Sequence, residues 1–302
     1  MLITKASIET KQMSEITNYL SPCSLDDAVK AMADGDVTVL CGGTDLTPQM
    51  QAGQREYAST LMNIRHIEGL AEITLTGDTC RIGALTTVTE MMTDPLLNDF
   101  APVLVAAADQ FASDQIRNAA SIGGNICNAS PAGDMIIPLL LLNAAVELAS
   151  WQEGAVQTRL VSLDEFFTAP GKTVKQDNEL MTAVVFAKPA PGFVARFRKP
   201  GPRPALEIST VSIGIGGKLQ DGVLSDVRAA MGAVAPTPIR GRRVETALEG
   251  LPLDADNIKA AAVSAGEDAT PIDDIRASAW YRDHLIRVLT EEVLNDVLEN
   301  GN

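Results

Sequence analysis

Residues 111–134 read FASDQIRNAASIGGNICNASPAGD, a run in which alanine, serine, glycine and amide residues crowd between two apolar segments. Such residues make poor core. They make a good cradle, because Gly123 and Gly124 let a ligand approach the backbone while Ser121, Asn125, Asn128 and Asp134 offer hydrogen bonds. Packing alone does not account for the run. Upstream, Val39-Leu40-Cys41-Gly42-Gly43-Thr44-Asp45-Leu46 reads as a strand running into two glycines. Consecutive N–H groups at such a turn form a nest for an anion such as a pyrophosphate, or they simply end a strand. The segment matches neither GxGxxG nor GxxxxGK[ST], so Rossmann and P-loop readings are not supported.

Outward from these two motifs the order is mixed α and β. Apolar residues at helical spacing predict a helix over 24–33, with Ser24 as N-cap and an acid at Asp27, followed by a strand over 37–40. Further strands are expected over 60–64, 73–75 and 80–82, the last two about the turn Gly77-Asp78, and helical spacing resumes over 87–92. The stretch 96–110 reads as one helix, the second glycine pair as a turn, and the dense apolar run in 134–149 as a helix buried on most sides. Residues 170–177 read as a loop, and Lys188-Pro189-Ala190-Pro191-Gly192 is the strongest break in the chain. Domains are therefore expected at 15–187 and 192–300. The second carries three strands, 193–197, 209–218 and 223–231, with turns at Gly201-Pro202 and Asp221-Gly222, then helices over 242–248, 256–265 and 279–298.

The chain has 302 residues, 46% of them hydrophobic, enough to bury a substantial core. Its 24 Lys and Arg against 39 Asp and Glu leave a net charge of −15, which repels nucleic acid and anionic membranes alike. No apolar run reaches the roughly 18 residues of a membrane span, and no apolar segment follows the charges of the first sixteen residues, so a cytoplasmic protein is expected. Cys23, Cys41, Cys80 and Cys127 are too dispersed for a local metal or iron–sulfur motif, and His66 and His284 are the only histidines. Redox chemistry here would need an organic cofactor.

Several single residues admit two readings. Arg117 is a phosphate clamp or a solvated loop cation. His66 is a site of covalent flavin attachment or a structural residue beside a strand. Asp45 and Asp134 could form a paired-carboxylate acid–base site, but an acid beside a glycine turn is more often a turn-former or a ribose ligand. Cys41 fits a small apolar position better than a redox one.

The pattern R-N-x-A-S-I-G-G-N-I-C-N-A-S-P, with the GGTDL turn before it, closely resembles the FAD-binding subunit or domain of molybdenum hydroxylases, the xanthine dehydrogenase group in particular. The likeness runs from about Tyr19 to the C-terminal helix. The ending Ser130-Pro131-Ala132-Gly133-Asp134 is more like xanthine dehydrogenases than carbon monoxide dehydrogenase flavoproteins. The resemblance implies an α+β protein: a two-lobed FAD-binding domain of the para-cresol methylhydroxylase type, then a small α+β C-terminal domain with a three-stranded antiparallel sheet.

By that resemblance Val39, Leu40, Cys41, Gly42, Gly43, Thr44, Asp45 and Leu46 line the pyrophosphate and ribityl chain. Phe111 and Ala112 approach the isoalloxazine ring. Ile116, Ala120, Ser121, Gly124, Asn125, Cys127 and Asn128 continue the cradle, Asp134 holds the far end, and Met181 is an apolar contact. The family's lysine after a Phe falls at Arg198 or Lys199. FAD would be noncovalent, and the molybdenum cofactor and [2Fe–2S] clusters would lie on partner subunits. The implied function is electron transfer from those centres to an acceptor, NAD+ by analogy; a flavin-free scaffold of the same fold is the alternative.

Overall fold

The structure, a computed structural model, describes residues 16–201 and 207–300. The expectations for the N-terminal segment through residue 15, including the start of the first domain, and for Pro202 lie outside the described residues.

The first lobe is a parallel three-stranded sheet in the order Asn18–Leu20, Thr60–Asn63, Val37–Leu40. Parallel strands require crossovers: helix Leu25–Asp34 carries the chain from one outer strand to the other, and helix Leu46–Gln51 carries it from there to the central strand. Ser24 caps it by accepting from the Asp27 N–H, and Ala28, Val29 and Met32 form its buried face. With Met62, Ile64, Ile67 and Leu70 they make a small core.

The second lobe is an antiparallel sheet in the order Ile73–Thr76, Thr79–Gly83, Leu180–Ala187, Ala145–Gln152, Ala155–Ser162. Helices cover it, with Leu97, Leu104, Ile122, Ile136, Leu139 and Leu141 fully buried. Each such side chain contributes about 1.5–3 kcal/mol by leaving water.

Three expectations are corrected in this lobe. The helix predicted over 96–110 is two, Pro95–Phe100 and Pro102–Asp109, because Pro102 has no N–H to continue the first and serves instead at the start of the second. The helix predicted within 134–149 lasts only from Ile136 to Leu141, and Ala145–Gln152 is a strand. Asn143, at φ 50°, turns the chain between them. The loop at 170–177 holds a short strand, Lys172–Thr173, paired with Phe167–Ala169.

After Lys188–Gly192 the chain forms the hairpins Phe193–Arg198, Ser212–Gln220 and Val223–Gly232. The sheet has five strands rather than the expected three, since Ile239–Arg240 and Leu251–Pro252 both pair with Val223–Gly232. Helices Arg242–Leu248, Ala255–Asp268 and Ala279–Asn300 pack on it, burying Ile286, Leu289, Val293, Leu294 and Val297. Phe197 and Ala230 reach the core of the second lobe instead. Arg228 donates to the Leu141 carbonyl at 2.9 Å and Arg240 to Asn143 Oδ1 at 2.6 Å, so helix Ile136–Leu141 is held by both parts of the chain. Among the described residues no helix is long and apolar enough to cross a membrane.

Candidate functional site

The two glycine motifs meet at a seam between the first and second lobes. Strand Val37–Leu40 delivers the first, and the Leu40 carbonyl still accepts from Ile64 N–H at 3.0 Å before the chain turns away. Gly43 sits at φ +68°, a left-handed conformation that favours glycine. Gly42 is required for a different reason: a Cβ there would stand 2.0 Å from the Ala119 carbonyl oxygen of the second lobe. The turn therefore closes directly onto backbone. The N–H groups of Gly42, Gly43 and Thr44 make no hydrogen bond to another described residue, while the Gly43 carbonyl accepts from Thr47 as the helix Leu46–Gln51 begins. Three successive donors are thus left without a protein partner among the described residues.

The second motif behaves differently, and the expectation of a glycine turn is corrected. Ser121 caps a short helix, Ile122–Cys127, accepting from the Gly124 N–H at 3.2 Å. The N–H groups of Ile122 and Gly123 donate to Thr86 and Ala84, so this pair offers a ligand no free donors. A Cβ at Gly123 would stand 2.7 Å from Ala84, which makes that glycine a packing residue rather than part of an open cradle. Gly124 faces the seam: a Cβ there would come within 3.0 Å of Ser121 Oγ and 3.1 Å of Cys41 Sγ.

Side chains tie the lobes across the seam. Ser121 Oγ lies 3.3 Å from Cys41 Sγ, and Gln49 Nε2 donates to both Asp45 Oδ2 (2.8 Å) and Asn128 Oδ1 (3.0 Å). Cys127 Sγ lies 3.6 Å from buried Met181 Sδ. Desolvation pushes the Cys127 thiol up to about 11 despite nearby Lys175 and Arg55, so it is neutral at physiological pH. Val39, Leu40, Cys41, Gly42, Gly43, Thr44 and Leu46 are half-buried, as are Phe111, Ala112, Ile116, Gly124, Asn125, Cys127 and Asn128; Ala120 is buried. A long strip of small and apolar residues thus stays partly open between two closed cores. Within it, Asn125 Oδ1 is buried with no hydrogen-bond partner. An unmade bond of that kind is costly, and it marks where a donor is awaited.

Asp134 closes one end of the second motif. It is buried, with Lys199 Nζ at 2.5 Å from one carboxyl oxygen and Ser209 Oγ at 2.5 Å from the other. Burial pushes its carboxyl up, and Lys199 and Ser209 oppose that. Lys199 also donates to the Gln110 carbonyl at 3.2 Å, which places it beside Phe111. Arg198, by contrast, points away and pairs with Asp296 on the C-terminal helix. Of the two candidates, Lys199 joins the seam and Arg198 does not.

The paired-carboxylate reading finds no support in these partners, since Asp45 is exposed and bound to Gln49 whereas Asp134 is neutralised by Lys199. His66 is exposed in the turn that follows strand Thr60–Asn63. Arg117 is neither a free clamp nor a solvated cation: it binds Asp114 and two carbonyls of its own loop. Sequence reasoning missed Gln49, Arg65 and Ser209. Gln49 stands four residues after Asp45 on one helix face, a legible signal. Arg65 Nε donates to the Cys41 carbonyl at 2.9 Å, and Ser209 reaches Asp134 from a distant part of the chain; neither has a local signature.

FAD, the group that the sequence resemblance implies, fits the donor set: free N–H groups for a diphosphate, an apolar strip for a ring, and an unpartnered amide oxygen for a polar edge. Comparison with known proteins agrees. Residues 12–189 match the family model of the FAD-binding domain in molybdopterin dehydrogenase, and residues 196–297 that of the CO dehydrogenase flavoprotein C-terminal domain. The xanthine dehydrogenase FAD-binding subunit of Escherichia coli O157:H7 is 33% identical over 289 residues, covering 95% of this chain and 97% of its own length. The fold matches carbon monoxide dehydrogenase of Hydrogenophaga pseudoflava with TM-score 0.87 at 28% identity, over 92% of this chain and 96% of that one. It matches quinoline 2-oxidoreductase of Pseudomonas putida 86 with TM-score 0.86 at 26% identity, over 94% and 97%. Carrying both domains in order, the chain belongs to the FAD-binding subunits of the xanthine dehydrogenase family of molybdenum hydroxylases.

Proposed function

We propose that the seam binds FAD noncovalently and that the chain passes electrons from a molybdenum cofactor and [2Fe–2S] clusters on partner subunits, through the flavin, to NAD+. The observation that carries the binding site is the row of free N–H groups at Gly42, Gly43 and Thr44, together with an unpartnered Asn125 Oδ1 on the facing motif. In a chain of net charge −15, a diphosphate needs such local donors. Leu40, Cys41, Asp45 and Leu46 flank this nest; Phe111, Ala112, Ile116 and Met181 supply apolar surface, and Ser121, Gly124, Cys127 and Asn128 the facing wall. Bound FAD would supply the two-electron to one-electron exchange that no side chain here can perform. The protein's part is to hold, orient and shield it.

The partner subunits follow from the chemistry a molybdenum hydroxylase needs, for which the dispersed cysteines offer no cluster-binding motif. The relatives named FAD-binding subunit and medium chain are likewise parts of larger enzymes. NAD+ as acceptor rests on the likeness to xanthine dehydrogenases. Anaerobic mixing of the FAD-loaded chain with NADH tests it, because hydride transfer is reversible. Rapid bleaching of the visible flavin absorption is expected; no bleaching, with fast exchange to a quinone or ferredoxin instead, moves the acceptor elsewhere.

Gly124→Val provides a local test of the seam. The new methyls enter beside Cys41 Sγ and Ser121 Oγ, which are side-chain ends that can shift, so the fold survives while the seam fills. FAD occupancy should drop well before thermal stability does. A folded variant that retains full FAD removes this residue from the site.

A further inference from the structure

Helix Pro102–Asp109 ends at the seam, and its last carbonyls have no partner within the helix. Such an end is commonly finished by a left-handed glycine. Here the left-handed position downstream is Ala112, at φ 41°, a conformation that persists in alanine only when its surroundings enforce it. Two cations do so. Arg117 Nη1 donates to the carbonyls of Asp109 (3.0 Å) and Phe111 (2.7 Å), and Lys199 Nζ donates to the one between them, Gln110 (3.2 Å). Both side chains are largely buried, at 14% and 5% exposure, and each is neutralised by a carboxylate, Asp114 and Asp134.

We infer that Arg117 is a positioning residue of the flavin seam: with Lys199 it clamps three consecutive carbonyls and so fixes the loop that carries Phe111 and Ala112. Arg117 comes from the short helix Asp114–Arg117, and Lys199 follows the first strand of the C-terminal domain. The clamp therefore lets that domain set the placement of Phe111, whose half-buried ring packs on the second-lobe core. The guanidinium is spent on its own loop and contributes orientation, not charge, to a bound cofactor. This inference rests on the seam being the FAD site.

The test is titration of the flavin-stripped full chain with FAD, read by binding affinity and by the visible circular dichroism of the bound flavin, alongside thermal melting. The variants are Arg117→Met, Arg117→Lys and, as control, Arg228→Met, which removes a similar bond to the Leu141 carbonyl and touches no seam residue. Arg117→Met should raise the FAD Kd about tenfold or more and alter the flavin dichroism. Arg117→Lys, which can reach one carbonyl but cannot fork, should recover part of the affinity, and Arg228→Met should lower the melting temperature with Kd within about twofold of the parent. If Arg117→Met does not fold, Arg117→Lys carries the test with an expected loss of severalfold. Folded Arg117 variants with unchanged Kd and dichroism overturn the clamp while leaving the FAD site standing; a parent chain that takes up no FAD overturns both.

Discussion

Gly42→Ala should strip the chain of FAD. A single methyl at this position stands 2.0 Å from the Ala119 carbonyl oxygen, and the obstacle is backbone on both sides, so no rotamer change relieves it. The turn must lift away from the second lobe, which moves the N–H groups of Gly42, Gly43 and Thr44 together. Overpacking of this kind costs about 1–3 kcal/mol, a loss of roughly fivefold to more than a hundredfold in affinity if it falls on the bound state. Gly35→Ala is the control, since that glycine is extended and a Cβ there meets nothing within 4 Å. FAD titration of both variants checks the result; equal affinities would mean that the turn does not carry the cofactor.

Lys199→Met should cost the most stability of any conservative change near the seam. It leaves Asp134 buried, with Ser209 as its one remaining side-chain donor among the described residues, and removing one partner of a buried pair typically costs about 3–5 kcal/mol. In a chain of this size that lowers the melting temperature by on the order of 10 °C. Lys199→Met with Asp134→Asn should recover much of the loss, because no uncompensated charge remains. Arg198→Met should be mild: its side chain is 43% exposed, and Asp296 keeps Arg196 at 3.2 Å. Thermal melts of the three variants decide the matter. Equal effects from Arg198 and Lys199 would contradict the assignment of the seam lysine.

That contrast shows what the sequence could and could not reveal. Adjacent cations in one strand end are indistinguishable in composition, and only the alternation of strand Phe193–Arg198 and the partners on either side separate them. Local signals were legible where they were self-contained: Ser24 and Asp27 marked a helix start, and Asp221-Gly222 a hairpin. The central strand Leu180–Ala187 was not, because a strand buried on both faces lacks the alternation that identifies a strand, and its neighbour Ala145–Gln152 was absorbed into the dense apolar run before it. At the site, residue types were legible but their division of labour was not. Both glycine pairs read as ligand cradles, yet Gly42 and Gly123 are needed for close approach of the protein's own backbone, at Ala119 and Ala84. Long-range partners such as Ser209 leave no trace in spacing.

If FAD sits in the seam between the two lobes, the chain carries a flavin chromophore. The most direct measurement is the visible absorption spectrum of the purified chain, flavin-stripped and then given FAD, with the flavin released by acid and identified. A yellow protein is expected, with one FAD per chain, all of it freed by acid without covalent attachment. A folded chain that stays colourless in excess FAD would contradict it and leave a scaffold subunit of the same fold.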